Sequence, residues 1–112
     1  MDFNQEERRG IVIKHVNLTR ATKEHAEEFK KFLLKDINDK SDKIIVDLSS
    51  CEFIDSTFIS SMVVALKVVN KIGGVLKLVS NHSDVQSVLE LTGMVKIFDI
   101  YKDVNEAIGS FR

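Results

Sequence analysis

The chain has 112 residues, of which 44% are hydrophobic and 29% charged, and its formal net charge is −1. This composition is typical of a globular domain and excludes a disordered or fibrous chain. Because the charge is near zero and evenly spread, electrostatic binding to nucleic acid is not expected. The longest unbroken apolar run, residues 62–66, is too short to span a bilayer, so we expect no membrane insertion.

The N-terminal segment and the cysteine content indicate the cellular compartment. Residues 1–10 are polar and contain no apolar signal segment. Cys51 is the only cysteine, so it has no partner for an internal disulfide. Together these features favour a cytoplasmic protein. The apolar stretch around Cys51 predicts a buried structural thiol rather than a nucleophile.

The first third of the chain predicts two strands and a helix. Phe3 lies in a short N-terminal strand, residues 6–10 have turn character, and a β-branched run over 11–18 forms a second strand. Between residues 22 and 37 apolar side chains recur at helical spacing, with Thr22 as the candidate N-cap. This pattern predicts a hairpin followed by an amphipathic helix.

The remainder predicts alternating strands and helices. Residues 44–48 are apolar apart from Asp47, which indicates a central strand covered on both faces. The elements that follow are helix 56–72, strand 75–79, helix 83–93, strand 96–100 and helix 103–111. Helix 56–72 is apolar around most of its circumference, which predicts burial or a partner surface; its β-branched content leaves a strand as the alternative. The order ββαβαβαβα predicts parallel neighbours joined by helical crossovers.

No catalytic or metal-binding pattern is found in the sequence. His15, His25 and His82 fall on a strand, a helix and a loop without ligand spacing, and zinc sites prefer clustered Cys and His. The glycine pair 73–74 follows a helix and precedes a strand, the reverse of a phosphate loop. We therefore expect no catalytic residues, no metal and no cofactor.

The sequence Asp55-Ser56-Thr57 is the one unusual place, because it begins a very apolar helix with an acid and two hydroxyls. Helix capping is one interpretation, since Asp, Ser and Thr are ordinary N-cap residues worth about 1 kcal/mol each. The other is phosphorylation of a hydroxyl. A phosphate at a helix N-terminus meets free backbone N–H groups and a favourable dipole.

Five short motifs occur in an order and at spacings that resemble one protein family. They are Val46-Asp47-Leu48-Ser49, Phe53-Ile54-Asp55-Ser56-Thr57, Gly73-Gly74 ahead of residues 76–79, Val88-Leu89-Glu90-Leu91-Thr92-Gly93, and Ile97-Phe98 toward Tyr101. The set resembles the bacterial anti-sigma factor antagonists, or anti-anti-sigma factors, of the STAS domain family. The resemblance covers roughly residues 10–110.

This resemblance implies a fold and a non-enzymatic role. It implies a single STAS domain over residues 1–112, of the α/β class, with a mixed, mostly parallel sheet of four to five strands and about four helices. It implies a partner switch rather than a catalytic pocket. The unmodified antagonist binds an anti-sigma factor, a serine/threonine kinase of the histidine-kinase-like ATPase fold, and so frees the sigma factor. Phosphorylation separates the two proteins, and a phosphatase resets the switch.

The resemblance also implies which residues of this chain take part in the switch. The phosphoacceptor position corresponds to Thr57, with Ser56 as second choice. The expected partner-binding residues are Thr22, Asp55, Ser56, Phe58, Ile59 and Met62. The chain departs from the family at two of these positions, with Phe58 where the family usually has Gly and Thr22 where it often has Asp. A bulky residue at position 58 predicts altered kinase access or a different partner.

Two other functions remain as alternatives. A STAS domain that is never phosphorylated serves as a scaffold subunit in lipid-transport or stress-signalling complexes. A small-ligand module or enzyme would need a concave pocket with convergent polar groups, for which the sequence supplies no constellation. The oligomeric state is open.

Overall fold

The computed structural model describes residues 1–38 and 40–111. The elements are β1 (Phe3–Arg8), β2 (Ile11–Val16), β3 (Arg20–Ala21), α1 (Lys23–Leu34), β4 (Lys43–Asp47), β5 (Phe53–Ile54), α2 (Ser56–Lys71), β6 (Val75–Val79), α3 (Ser83–Leu91), β7 (Ile100–Tyr101) and α4 (Val104–Gly109). Five strands form a sheet in the order β1-β2-β4-β6-β7, in which only the β1–β2 pair is antiparallel. The predicted mixed, mostly parallel sheet and its four helices are confirmed.

The β1–β2 hairpin closes with a tighter turn than the sequence pattern predicts. Arg9 and Gly10 both have left-handed backbone conformations, with φ of 55° and 78°. Two consecutive residues of positive φ match the right-handed twist of the flanking strands, so a two-residue connection is enough. Residues 6–8, predicted as turn, therefore belong to β1.

Helices cover both faces of the sheet. Ile44 and Val46 of β4 pack into the large core with α1, α2 and α3, whereas Ile45 packs with the smaller cluster under α4. Alternate side chains of a strand point to opposite faces. The apolar character of β4 on both sides follows directly from this double cover.

The α2 helix extends from Ser56 to Lys71, in agreement with the predicted helix over 56–72. Six of its residues are buried, whereas Val64 and Val68 are each 37% exposed. The helix therefore has one face in the core and an opposite face exposed to solvent. Among the helices of the described residues, none combines the length and apolarity needed to cross a membrane.

Two helix ends differ from their predicted positions because of backbone conformation. The α1 helix ends at Leu34 rather than near residue 37, and Asp36 just beyond it has a φ of 65°. Gly93, with a φ of 76°, ends α3 and leads into a short 3₁₀ helix, Met94–Lys96. That turn occupies part of the predicted strand 96–100, and pairing with β6 begins only at Ile100.

The buried side chain of Lys14 holds the C-terminal end of α1 in place. Its side chain is 1% exposed, and its ammonium donates hydrogen bonds to the carbonyls of Phe32 (3.0 Å) and Lys35 (3.3 Å). These carbonyls lie at the negative end of the helix dipole, where a cation is favourable. Burial lowers the pKa of Lys14 below its ordinary range.

Candidate functional site

The starts of α1 and α2 meet at one junction. The two-residue strands β3 and β5 pair in parallel, with Arg20 opposite Phe53 and Ala21 opposite Ile54. Thr22 and Asp55 directly follow these pairs, and the Asp55 N–H donates to the carbonyl of Ala21 at 3.1 Å. We call Thr22, Asp55, Ser56 and Thr57 the helix-start junction. The sequence pattern treats residues 49–55 as a connection and does not predict this ladder.

Asp55 caps two helices with one carboxylate. Its Oδ1 accepts a hydrogen bond from the N–H of Phe58 (3.0 Å) in α2, and its Oδ2 accepts one from the N–H of Lys23 (2.8 Å) in α1. Thr22 is the N-cap residue of α1 but makes no capping hydrogen bond with its side chain. The capping interpretation is therefore confirmed for Asp55, which caps α1 as well as α2.

The hydroxyls of Ser56 and Thr57 lie at the surface of the first turn of α2. Both residues are exposed, and within residues 1–38 and 40–111 neither hydroxyl makes a hydrogen bond. Their backbone carbonyls accept hydrogen bonds from the Ser60 and Ser61 hydroxyls. Both hydroxyls are therefore accessible to an enzyme that approaches the helix N-terminus.

Thr57, unlike Ser56, lines a shallow groove between the two helices. We call this the α1–α2 groove; its exposed or half-buried lining residues are Glu27, Lys30, Thr57, Ser60 and Val64. The sequence reasoning did not propose the other four residues. Residues 57, 60 and 64 lie on one face of α2, and their i, i+3, i+7 spacing can be read from the sequence. The α1 residues of the groove could not be predicted in this way, because their position depends on how α1 packs against α2.

Three of the proposed partner-binding side chains lie in the core. Phe58 and Met62 are 0% exposed and Ile59 is 4% exposed. They belong to the face of α2 that packs on α1 and the sheet, so they offer a partner no surface in this structure. Their burial corrects the expectation for these three positions. Thr22, Asp55, Ser56 and Thr57 remain in place for contact.

Cys51 is a buried thiol, as the sequence predicts. Burial, followed by the nearby negative charge of Asp47, raises its pKa to about 12. A thiol with so high a pKa carries almost no thiolate at neutral pH. Cys51 is therefore a core residue.

His15 and His25 both have carboxylate groups nearby, and His25 lies in the first turn of α1, where its N–H donates to the carbonyl of Thr22 at 3.0 Å. Nδ1 of His15 is 2.7 Å from Asp47 Oδ2, and its Nε2 is 2.8 Å from Glu6 Oε2. His25 lies near Asp2 and Glu28, and their potential ligand atoms are within 4.8 Å of one another. These three residues are exposed or half-buried and are the group in the described chain whose geometry approaches that of a metal site.

The sequence comparison identifies the family. Residues 4–107 match the model of the STAS domain. The chain belongs to the STAS domain family.

Relatives of this STAS domain include proteins provisionally named as anti-sigma factor antagonists. One from Thermotoga neapolitana is 37% identical over 86 residues, which are 76% of this chain and 76% of that protein. The crystal structure of another, from Thermotoga maritima, is 32% identical with a TM-score of 0.84, and the match covers 96% of this chain and 92% of that chain. SpoIIAA of Bacillus in its phosphorylated form is 17% identical with a TM-score of 0.72, covering 98% and 99%. At that identity, SpoIIAA shares the fold alone.

Proposed function

We propose that this chain is an anti-sigma factor antagonist whose partner binds at the helix-start junction and the α1–α2 groove, and that phosphorylation of Thr57 ends this binding. The partner is an anti-sigma factor kinase of the histidine-kinase-like ATPase fold, and a phosphatase restores the unmodified form. The observation that carries the proposal is the position of Thr57. Thr57 is exposed at the start of α2, its hydroxyl has no hydrogen-bond partner among the described residues, and the residue lines the groove between two helices.

The relatives support this role. The proteins that are 37% and 32% identical are provisionally named as anti-sigma factor antagonists. SpoIIAA, which shares the fold, has been solved in an unphosphorylated and a phosphorylated form. A phosphate on this fold is therefore compatible with its folded structure.

Phosphorylation would oppose binding through desolvation and repulsion. A phosphothreonine adds about −1.5 to −2 charges, and an unpaired charge enclosed in an interface costs several kcal/mol. A loss of about 4 kcal/mol weakens binding nearly a thousandfold. Asp55, two residues before Thr57, adds like-charge repulsion. The α2 dipole offers the phosphate only about 0.3–1 kcal/mol, so binding is lost while the fold is kept.

Phosphopeptide mass spectrometry tests the acceptor directly. The protein is isolated from its native cells in several growth states, and the peptide covering residues 51–67 is sequenced. We expect phosphate on Thr57. Phosphate on Ser56 alone would keep the switch but assign it to the other hydroxyl. Absence of phosphate in every growth state would contradict the switch and favour an unphosphorylated scaffold.

A binding comparison tests the consequence. Unmodified protein, phosphorylated protein and the Thr57→Ala and Ser56→Ala variants are immobilised, and captured proteins are identified by mass spectrometry. We expect a kinase of the histidine-kinase-like ATPase fold on all forms except the phosphorylated one. Equal capture by the phosphorylated and unmodified forms would refute the proposal.

A further inference from the structure

A second surface lies on the face of the sheet that α4 covers. At the edge of the sheet where the parallel strands begin, four residues lie side by side on four neighbouring strands. They are Arg8 of β1, Ile11 of β2, Lys43 of β4 and Val75 of β6. The pairs are Arg8 with Ile11 and Lys43 with Val75, and Ile11 precedes the Val12–Ile44 pair that places it beside Lys43. Cationic and apolar residues thus alternate along one row.

Three adjoining concavities follow this row beneath the end of α4. Neighbouring concavities share lining residues, and we call the three together the basic groove. Its principal residues are Arg8, Arg9, Ile11, Lys43, Lys77 and Phe111. No acidic residue lines it within the described chain, although the whole protein has 17 acidic and 16 basic residues. Among the described residues, the charged side chains that line this groove are therefore all basic.

Lys77 gives the basic groove a positive charge that is fixed in position. The residue is 8% exposed, and its ammonium donates to the Ser110 hydroxyl at 2.7 Å and lies 4.4 Å from the centre of the Phe111 ring. In the described part of the chain it has no carboxylate within ion-pair distance, and neither do Lys43 and Arg9. Arg8 alone is paired, with Glu6. Among residues 1–38 and 40–111, these three cations therefore have no carboxylate as counter-charge.

The length of the groove favours an extended ligand with several negative charges. Neighbouring strands are about 4.8 Å apart, so a row across four strands has about the length of four residues of extended peptide. Alternate side chains of an extended peptide point to the same side. A segment with an acidic residue at every second position therefore presents all its carboxylates to the cations of the groove.

We propose that the basic groove binds an extended acidic segment of a second protein, in which acidic and apolar residues alternate. The inference is independent of the function proposed for Thr57. Thr57 lies on the face of the sheet covered by α1 and α2, whereas the basic groove lies under α4. Since the sheet separates the two surfaces, both can be occupied at once.

Fluorescence anisotropy with a labelled peptide tests this site. The probe is an eight-residue peptide that alternates Glu with Leu or Phe, compared with a peptide in which Gln replaces every Glu. The test variant is Arg9→Glu/Lys43→Glu. The matched control is Lys96→Glu/Lys102→Glu, which makes the same charge change at two exposed lysines outside the groove. Circular dichroism establishes that each variant is folded.

We expect saturable binding of the acidic peptide that weakens about tenfold in the test variant and less than about twofold in the control. The Gln peptide should bind more weakly, added salt should weaken binding, and Thr57→Glu should leave it unchanged. Equal losses in test and control variants would overturn the proposal, as would equal binding of the Gln peptide or no saturable binding. Tighter binding of inorganic phosphate, or of vesicles containing phosphatidylserine, would also overturn it in favour of another anion.

Discussion

The phenyl ring of Phe58 lies parallel to that of Phe29, with ring centroids 3.9 Å apart and planes 8° apart. Both side chains are 0% exposed. The residue that follows Thr57 therefore joins α2 to α1 through the core and leaves the Thr57 hydroxyl exposed. At the position where the resemblance implies Gly, this chain therefore has a core packing residue. The altered kinase access or different partner expected from Phe58 stays a prediction.

Truncation of this ring should cost much of the stability of the protein. Phe58→Ala removes a fully buried aromatic side chain and leaves a cavity between α1 and α2, for which we expect a loss of about 3–5 kcal/mol in the free energy of unfolding. Urea denaturation monitored by circular dichroism measures it. The control is Phe53→Ala, because Phe53 is 36% exposed and the Arg20 guanidinium lies over its ring, 4.4 Å from the ring centre. A similar loss in both variants would show that Phe58 has no special packing role.

Removal of the Asp55 carboxylate should weaken two helices. We expect Asp55→Ala to lower the free energy of unfolding by about 2 kcal/mol, since each cap contributes about 1 kcal/mol. Asp55→Asn keeps one acceptor oxygen and should lose about half as much. Asp103→Ala is the matched control, because Asp103 caps α4 alone through the N–H of Glu106. If Asp55→Ala cost no more than Asp103→Ala, the double cap would add nothing.

The contact of Glu6 with His15 and Arg8 should appear in acid unfolding. The hydrogen bond from His15, followed by that from Arg8, lowers the pKa of Glu6 below its ordinary range. The charged carboxylate therefore stabilises the fold above the unfolded-chain value of about 4.3, and this contribution disappears as the pH falls through the lower folded-state value.

The measurement is the urea midpoint of the wild type and Glu6→Gln between neutral and acidic pH. We expect the variant to be less stable at neutral pH and the difference to close below about pH 4. Glu7→Gln, an exposed neighbour in β1, serves as control and should show no such convergence. A difference for Glu6→Gln that stays constant with pH would exclude the assigned role of its charge.

Cys51 should resist thiol reagents in the folded protein. Its buried position and its pKa of about 12 leave almost no accessible thiolate at pH values near 8. We expect labelling by a disulfide reagent only as fast as the protein unfolds, and rapid labelling in urea. The control is Cys51→Ser/Ser50→Cys, which moves the thiol to an exposed neighbour. Equal rates in the two folded proteins would contradict the burial of Cys51.

Much of the fold could be predicted because its elements carry strong local patterns. The α2 helix has a long apolar run that begins after Asp55 and ends before Gly73, and both boundaries are within one residue of the prediction. The β4 strand is apolar on both faces, which indicates its central place. The β3–β5 ladder could not be predicted, because two residues are too few to show a period.

The candidate site was only partly predictable for a similar reason. Thr57 and Asp55 are only two residues apart in the sequence, and the helix start that exposes Thr57 has recognisable capping residues. The second function of Asp55 depends on the N–H of Lys23, which reaches it only through the packing of distant segments. Likewise, an apolar helix pattern does not tell which face packs inward, so the burial of Phe58, Ile59 and Met62 required the position of α1.

The shared carboxylate of Asp55 also affects hydrogen exchange. The N–H groups of Lys23 and Phe58 are far apart in the chain but depend on the two oxygens of one side chain. A fluctuation that displaces this carboxylate exposes both groups to solvent at once, so their exchange with deuterium should share a common opening event. The starts of α1 and α2 thus form one dynamic unit, in which the first turns of two helices loosen together.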